Sequence, residues 1–138
     1  MKESTVKSFE CHKIAGGKAS GEVLISNDDI CFYLADPETG KIIEKNHELE
    51  GQSVAGKILV FPSGKGSSVV QMDGLYQLNM HGMQPKAMII KYPDTVLVAT
   101  SIIMEVPLVD GLGEEFYQQV DNGNFLEVDA HEEVIKLQ

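Results

Sequence analysis

The feature that most restricts the fold of this chain is a strand that runs into a glycine loop and is followed at once by a helix. Lys57-Ile58-Leu59-Val60-Phe61 is a compact β-rich run that stops at Pro62, as a buried strand does. Ser63-Gly64-Lys65-Gly66 follows as a flexible loop. Across residues 67–81 the apolar Val69, Val70, Met72, Leu75, Tyr76, Leu78 and Met80 support an amphipathic helix, with Gly82 at a typical C-terminal stop position. Ala87-Met88-Ile89-Ile90, after a proline-containing connection, reads as a second buried strand. The order is that of a βαβ unit, which implies a parallel pair at the centre of the fold.

Around that unit the chain is rich in strands. Gly21-Glu22-Val23-Leu24-Ile25-Ser26 and Ile30-Cys31-Phe32-Tyr33-Leu34 are apolar runs separated by Asn27-Asp28-Asp29, turn chemistry that predicts a hairpin. Cys31 then reads as a buried strand residue. Asp36-Pro37-Glu38-Thr39-Gly40 is a turn, with proline presetting one backbone angle. Residues 95–106 are strongly apolar, and periodicity alone leaves strand and helix both open there. Asp121-Asn122-Gly123-Asn124 joins the segment 114–120 to Phe125-Leu126-Glu127-Val128, and Val134-Ile135-Lys136 predicts a last strand. There is no repeat and no linker, so a single mixed α/β domain over residues 1–138, with more strand than helix, is expected.

Charge and composition remove several classes of function. A net charge of −10 repels a phosphate backbone, which argues against nucleic acid as a partner. Apolar runs such as residues 87–90 and 96–103 fall short of the ~18 residues a membrane helix needs. Met1-Lys2-Glu3-Ser4-Thr5 lacks the apolar centre of a signal peptide, so a cytoplasmic location is expected. The two cysteines, Cys11 and Cys31, are expected to be free thiols, and neither sits in a metal-binding spacing.

The stretch with chemical content is Phe61-Pro62-Ser63-Gly64-Lys65-Gly66-Ser67-Ser68-Val69-Val70. Its small residues bring backbone close to a helix N-terminus, where free amides and the positive end of the dipole favour a carboxylate, a phosphate or an ionised serine oxygen. A nucleotide P-loop is excluded, because Leu59 and Gly66 stand where a glycine and a hydroxyl residue are required. A Gly-x-Ser-x-Gly elbow is excluded as well. Loop chemistry alone reads Ser67 and Ser68 as helix caps, Ser63 as a turn residue and Lys65 as a solvated charge.

Five motifs in order point further: Gly21-Glu22 with its strand, Asp36-Pro37-Glu38-Thr39-Gly40, Leu49-Glu50-Gly51-Gln52-Ser53-Val54-Ala55-Gly56-Lys57, the loop 61–68, and Glu105-Val106-Pro107-Leu108-Val109. With these the chain resembles, over nearly its whole length, the small subunit or swivelling domain of the aconitase X family. The resemblance implies an α/β swivelling β/β/α domain, mixed sheet layers with a helix following the Gly-Ser-Ser loop. It also implies a dehydratase, a hydro-lyase active only when this domain docks over a large catalytic subunit. An iron–sulfur cluster is expected on that large subunit and none on this chain. The implied substrate is a small phosphorylated hydroxy acid, (R)-5-phosphomevalonate, which loses water to give trans-anhydromevalonate 5-phosphate on the way to isoprenoids. The alternatives are dehydration of hydroxyproline by a related two-subunit enzyme, or a non-catalytic binding module that keeps the fold.

Residue by residue, Ser67 matches the first serine of the superfamily's Gly-Ser-Ser, its proton acceptor. Ser63, Gly64, Lys65, Gly66 and Ser68 surround it as the implied substrate-binding residues. Ordinary aconitases carry an arginine after the second serine, whereas Val69 stands here, so the supporting charge falls to Lys65 or to the partner. Tyr33-Leu34-Ala35 replace small glycine-rich residues of many members, a change that either packs into the core or reshapes the cleft.

Overall fold

A computed structural model describes residues 7–138; residues 1–5, read above for export, lie outside them. In chain order the elements are β1 (Lys7–Glu10), β2 (His12–Ala15), β3 (Lys18–Ile25), a 3-10 turn (Phe32–Leu34), β4 (Ile58–Phe61), α1 (Ser68–Met80), β5 (Ala87–Ile90), α2 (Thr95–Met104), β6 (Leu108–Asp110), α3 (Glu114–Gln119), β7 (Phe125–Asp129) and β8 (Val134–Leu137). The strands line up as β1-β8-β7-β3-β4-β5-β6-β2. β4 and β5 pair in parallel from Ile58↔Ala87 to Phe61↔Ile90, with α1 as the crossover, as the sequence predicts. β3 joins β4 and β6 joins β5, both in parallel.

The layering follows from β3, which serves two sheets. Its first part, Lys18 to Glu22, pairs antiparallel with β7, and its second part, Val23 to Ile25, pairs parallel with β4. β7, β8 and β1 extend the first part as antiparallel neighbours. Strands of the parallel part are buried on both faces, so their successive side chains sort into two cores. Val23, Ile58, Val60, Ala87, Ile89 and Val109 meet Phe9, Leu126, Val128 and Ile135 of the antiparallel part, with Phe116 of α3. Leu24, Leu59, Phe61, Met88 and Ile90 face the other way, onto Leu75 and Leu78 of α1, Leu97 of α2 and the segment carrying Ile30, Phe32, Ile42 and Leu49. The result is two sheet layers and a helix layer, the expected β/β/α arrangement.

The hairpin expected after β3 does not form. Both edges of β3 are taken, one by β4 and the other by β7 and its preceding turn, where Val23 N donates to Asn124 O (2.8 Å) and Ile25 N to Asn122 Oδ1 (2.7 Å). Asn27-Asp28-Asp29 does turn the chain, held by Asp28 Oδ2, which accepts from Glu48 N at 2.9 Å. Beyond it Ile30, Cys31 and Phe32 are all buried in succession, which no half-exposed strand allows. Ile30 makes one parallel bridge to Gly64, and Phe32–Leu34 wind into the 3-10 turn. Cys31 is therefore buried, as expected, but precedes that turn instead of lying in a strand. His47 pins the same segment from inside: Nε2 donates to Asp29 O and Nδ1 accepts from Leu49 N, both at 2.9 Å.

The open region 95–106 is a helix, ending at Glu105 in a left-handed conformation, with Val106 N donating back to Ser101 O at 3.0 Å. Residues 114–119 form α3, and the turn 121–124 closes through Asp121 N donating to Asn124 Oδ1 at 2.7 Å. Glu38 N donates to Asp36 Oδ1 at 2.9 Å within the proline turn.

α1 is a helix where the sequence places one, but its apolar residues do not all face inward. Gln71, Gly74, Leu75 and Leu78 are buried, while Val69 (76% exposed), Met72, Tyr76 and Met80 (63% exposed) form an outward stripe. The inward face is set by Gly74. A Cβ there would stand 2.1 Å from Tyr33 N and 2.4 Å from Phe32 C, so the helix backbone lies directly on the 3-10 turn. Ala35 is buried in the core, whereas Tyr33 is more than half exposed. Among the described residues no helix is long and apolar enough to cross a membrane.

Candidate active site

The loop between β4 and α1 is built as a rung against Ile30. Ile30 N donates to Ser63 O (3.0 Å) and Lys65 N donates to Ile30 O (3.2 Å). Pro62 O accepts from both Lys91 N and Tyr92 N at 3.0 Å, which ties the loop's start to the end of β5. Gly66 then takes φ +105°, a backbone conformation that a residue with a Cβ rarely adopts, and so turns the chain into the helix. Ser67 is the N-cap (φ −67°, ψ 163°), with its Oγ accepting from Val70 N at 3.4 Å, and Gln71 N donates to Ser67 O at 2.9 Å to open the helical ladder.

This arrangement separates the expected site residues. Gly66, Ser67 and Ser68 are exposed together at the helix N-terminus. Ser63 turns away, donating its hydroxyl to Tyr92 O at 2.7 Å. Lys65 Nζ meets Glu44 Oε2 at 2.7 Å, and that hydrogen bond holds the ammonium above the usual lysine range. The positive charge nearest Ser67 in sequence is thus shared with a carboxylate. Gly64 lies against α1 and α2: a Cβ there would stand 2.5 Å from Gln71 Oε1 and 3.3 Å from Asp94 Oδ2.

Three residues absent from the sequence reading belong to this site. Glu44 partners Lys65; Gln71 donates from Nε2 to Gly66 O at 2.8 Å; Asp94, at the start of α2, has a buried Oδ2 with no hydrogen-bond partner among the described residues. Gln71 carried a signal, a polar residue on the face of α1 that otherwise presents Gly74, Leu75 and Leu78. Glu44 and Asp94 come from distant segments, and nothing local marks them.

Chemically, the N-terminus of α1 offers the free amides of its first turn and has no acidic residue there, so it favours negative charge at or beside Ser67. A serine hydroxyl acts as a base only where its anion is stabilised. Among the described residues no group of three or more His, Cys, Asp or Glu is placed to hold a metal. Cys31 is buried with its Sγ facing Gly66, and burial, with Glu133, Asp110 and Asp129 adding to it, pushes the Cys11 thiol from 9.0 up to about 11. With its pKa raised, Cys11 stays protonated at neutral pH. Its alkylation by iodoacetamide is expected to be slow at pH 8 and to keep rising about tenfold per pH unit through pH 10, where an ordinary thiol, with a pKa of about 8.5, has levelled off. Mass spectrometry of the labelled peptide checks this, and a plateau below about pH 9.5 would contradict the half-buried, acid-flanked setting.

Comparison with known proteins places the fold in a family. Residues 8–137 match the family model described as the aconitase X swivel domain. A phosphomevalonate dehydratase small subunit from Methanothrix thermoacetophila is 41% identical over 130 residues, covering 94% of this chain and 93% of the relative. Another of the same name from Archaeoglobus fulgidus is 40% identical, covering 94% and 97%. A crystal structure of Thermococcus kodakaraensis aconitase X in its holo form superposes with a TM-score of 0.86 at 37% identity, over 96% of this chain and 98% of the other. A solution NMR structure of a UPF0107 protein does so with a TM-score of 0.85 at 39% identity, over 96% and 99%. By sequence and by fold, this chain belongs to the aconitase X swivel-domain family.

Proposed function

We propose that this chain is the small subunit of a phosphomevalonate dehydratase, with Ser67 as the group that takes the substrate proton. The observation that carries the reading is an exposed serine hydroxyl at the amide-rich N-terminus of α1, on a chain whose relatives are named small subunits of that enzyme. Gly66, Ser67, Ser68 and Val69 all face solvent, so a substrate held there needs a second wall. The outward stripe of Val69, Met72, Tyr76 and Met80 starts two residues after Ser67, and its first three residues line an open groove of about 350 Å³ with Asp73 and Met104. Apolar surface of that kind beside a reactive group suits docking by the large subunit, which would supply the wall.

In this reading Ser67 Oγ receives a proton from the carbon beside the substrate carboxylate. The electron pair left behind forms the carbon–carbon double bond, the bond from the adjacent carbon to its hydroxyl breaks, and the hydroxyl leaves as water after protonation on the large subunit's side. The first-turn amides of α1 stabilise the Ser67 oxygen while it carries charge, and Lys65, held by Glu44, lends a partly compensated cation. Gly66 and Ser68 let backbone approach the substrate, and Ser63 and Gly64 hold the loop. The iron–sulfur cluster expected from the family belongs, in this proposal, to the large subunit, and no step above passes through this chain's cysteines.

The test is reconstitution. Each chain alone, and both mixed anaerobically, are assayed for loss of (R)-5-phosphomevalonate and appearance of its anhydro product. Turnover only in the mixture is expected. No turnover of the phosphate ester but turnover of hydroxyproline would move the enzyme to an amino-acid substrate, and no turnover of either would leave a binding module.

A further inference from the structure

We infer that Gln71 is the positioning residue for Ser67, an inference that rests on the proposed role of that serine. Gln71 lies one turn into α1, is only 6% exposed, and is the sole polar side chain among the four buried on that helix. Its Nε2 donates to Gly66 O at 2.8 Å, and Gly66 is the residue that turns the loop at φ +105°. A carbonyl fixed by a buried amide fixes the peptide plane that joins Gly66 to Ser67. That plane sets where the Ser67 amide points and where its Cβ starts. The backbone of Ser67 is held from its other side as well, since Gln71 N donates to Ser67 O at 2.9 Å. One residue therefore grips the peptide on each side of the serine, through its side chain before and its main chain after.

The far end of the amide is equally constrained. Gln71 Oε1 lies so near Gly64 that a Cβ on Gly64 would stand 2.5 Å from it. The side chain spans the loop from Gly64 to Gly66 and cannot swing without opening the gap it fills. Gln71 touches neither end of the expected reaction; it acts through the loop. Loss of its donor removes the hydrogen bond to Gly66 O and frees the peptide to rotate. Displacement of a reacting group by about 1 Å costs on the order of a hundredfold in rate with binding little changed.

The experiment replaces Gln71 with methionine, which matches its length and removes the amide, and compares it with Leu75→Val, a cavity on the same helix with no link to the loop. In the reconstituted complex Gln71→Met is expected to lower kcat at least tenfold with KM within about threefold, while Leu75→Val, assayed well below its melting temperature, keeps kcat within about twofold. Equal kcat losses in the two variants, or wild-type kcat in a folded and assembled Gln71→Met, would overturn the assignment. Amide hydrogen exchange on the full chain alone provides a readout that needs no substrate. If the wild-type complex does not act on phosphomevalonate, the functional reading has failed, and exchange alone decides the loop: faster exchange in Gln71→Met at the amides of residues 65 and 71, which are hydrogen-bonded to Ile30 O and Ser67 O, supports the role of Gln71, and unchanged exchange at both rejects it.

Discussion

Replacing Ser67 with alanine is expected to lower kcat of the reconstituted enzyme by about 10²–10⁴-fold, the range that a positioned acid–base group contributes. The difficulty is that Ser67 is also the N-cap of α1, so a loss could come from fraying of the helix that carries it. The two effects differ in size. A cap contributes about 1 kcal/mol, and the hydrogen bond from Val70 N to Ser67 Oγ is long at 3.4 Å, so its share here falls at the low end. Asparagine separates them, because it caps as well as serine but has no hydroxyl to ionise. Ser67→Asn is therefore expected to unfold at the wild-type temperature and to be as inactive as Ser67→Ala. Activity retained in either variant would remove Ser67 from the chemistry and leave it a cap.

Gly74→Ala is expected to be the most damaging small substitution on α1. Alanine in place of glycine inside a helix normally stabilises it by about 1 kcal/mol. Here the added methyl would meet backbone, Tyr33 N at 2.1 Å and Phe32 C at 2.4 Å, which no side-chain rotation relieves. Either α1 lifts off the 3-10 turn or the turn retreats into the core around Phe32 and Phe61, whose rings stack edge to face at 5.9 Å. Overpacking of that kind costs about 3 kcal/mol or more, which outweighs the helical gain, and a fall in melting temperature on the order of 10 °C is expected by circular dichroism. An unchanged or higher melting temperature would mean that the contact between α1 and the turn is not what holds the helix down.

These two positions show where the sequence was readable. Ser67 was legible as a helix cap because the strand before it stops at a proline, two glycines follow, and an apolar run resumes at helical spacing, each a local signal; its expected role as proton acceptor came from the family resemblance alone. Gly74 was not, because a glycine inside a helical pattern says only that something comes close, and the something is a segment forty residues upstream. The same limit explains the outward stripe of α1. Val69, Met72, Tyr76 and Met80 repeat with a helical period as a core face would, and only the approach of Phe32 and Tyr33 to Gly74 decides that the opposite face is the buried one. Ile30 to Leu34 misled for a related reason. The run has strand composition and a turn before it, but the edge of β3 it would need is already occupied by residues that come a hundred positions later. Residues 95–106 stayed open because the segment is short and its polar Thr100 and Ser101 interrupt the apolar run without marking a face, a pattern that suits a buried strand and a packed helix alike.

The pairing of β1 with β8 has a kinetic consequence. Lys7↔Leu137 and Phe9↔Ile135 join residues from opposite ends of the sequence, and β7 reaches back to β3 over most of the chain between them. Closing such loops is slow, and chains dominated by distant pairings fold in milliseconds to seconds, about a thousandfold slower than local helical ones. β4, α1 and β5 are by contrast contiguous, and their contacts form without waiting for the C-terminus. During synthesis the half of the molecule that carries Ser67 is thus expected to take shape first, with the apolar faces of Val23, Ile58, Val60 and Ile89 bare until the last strand arrives. The interval in which that surface stands open is when the nascent chain is most prone to aggregate, on the side of the sheet opposite α1.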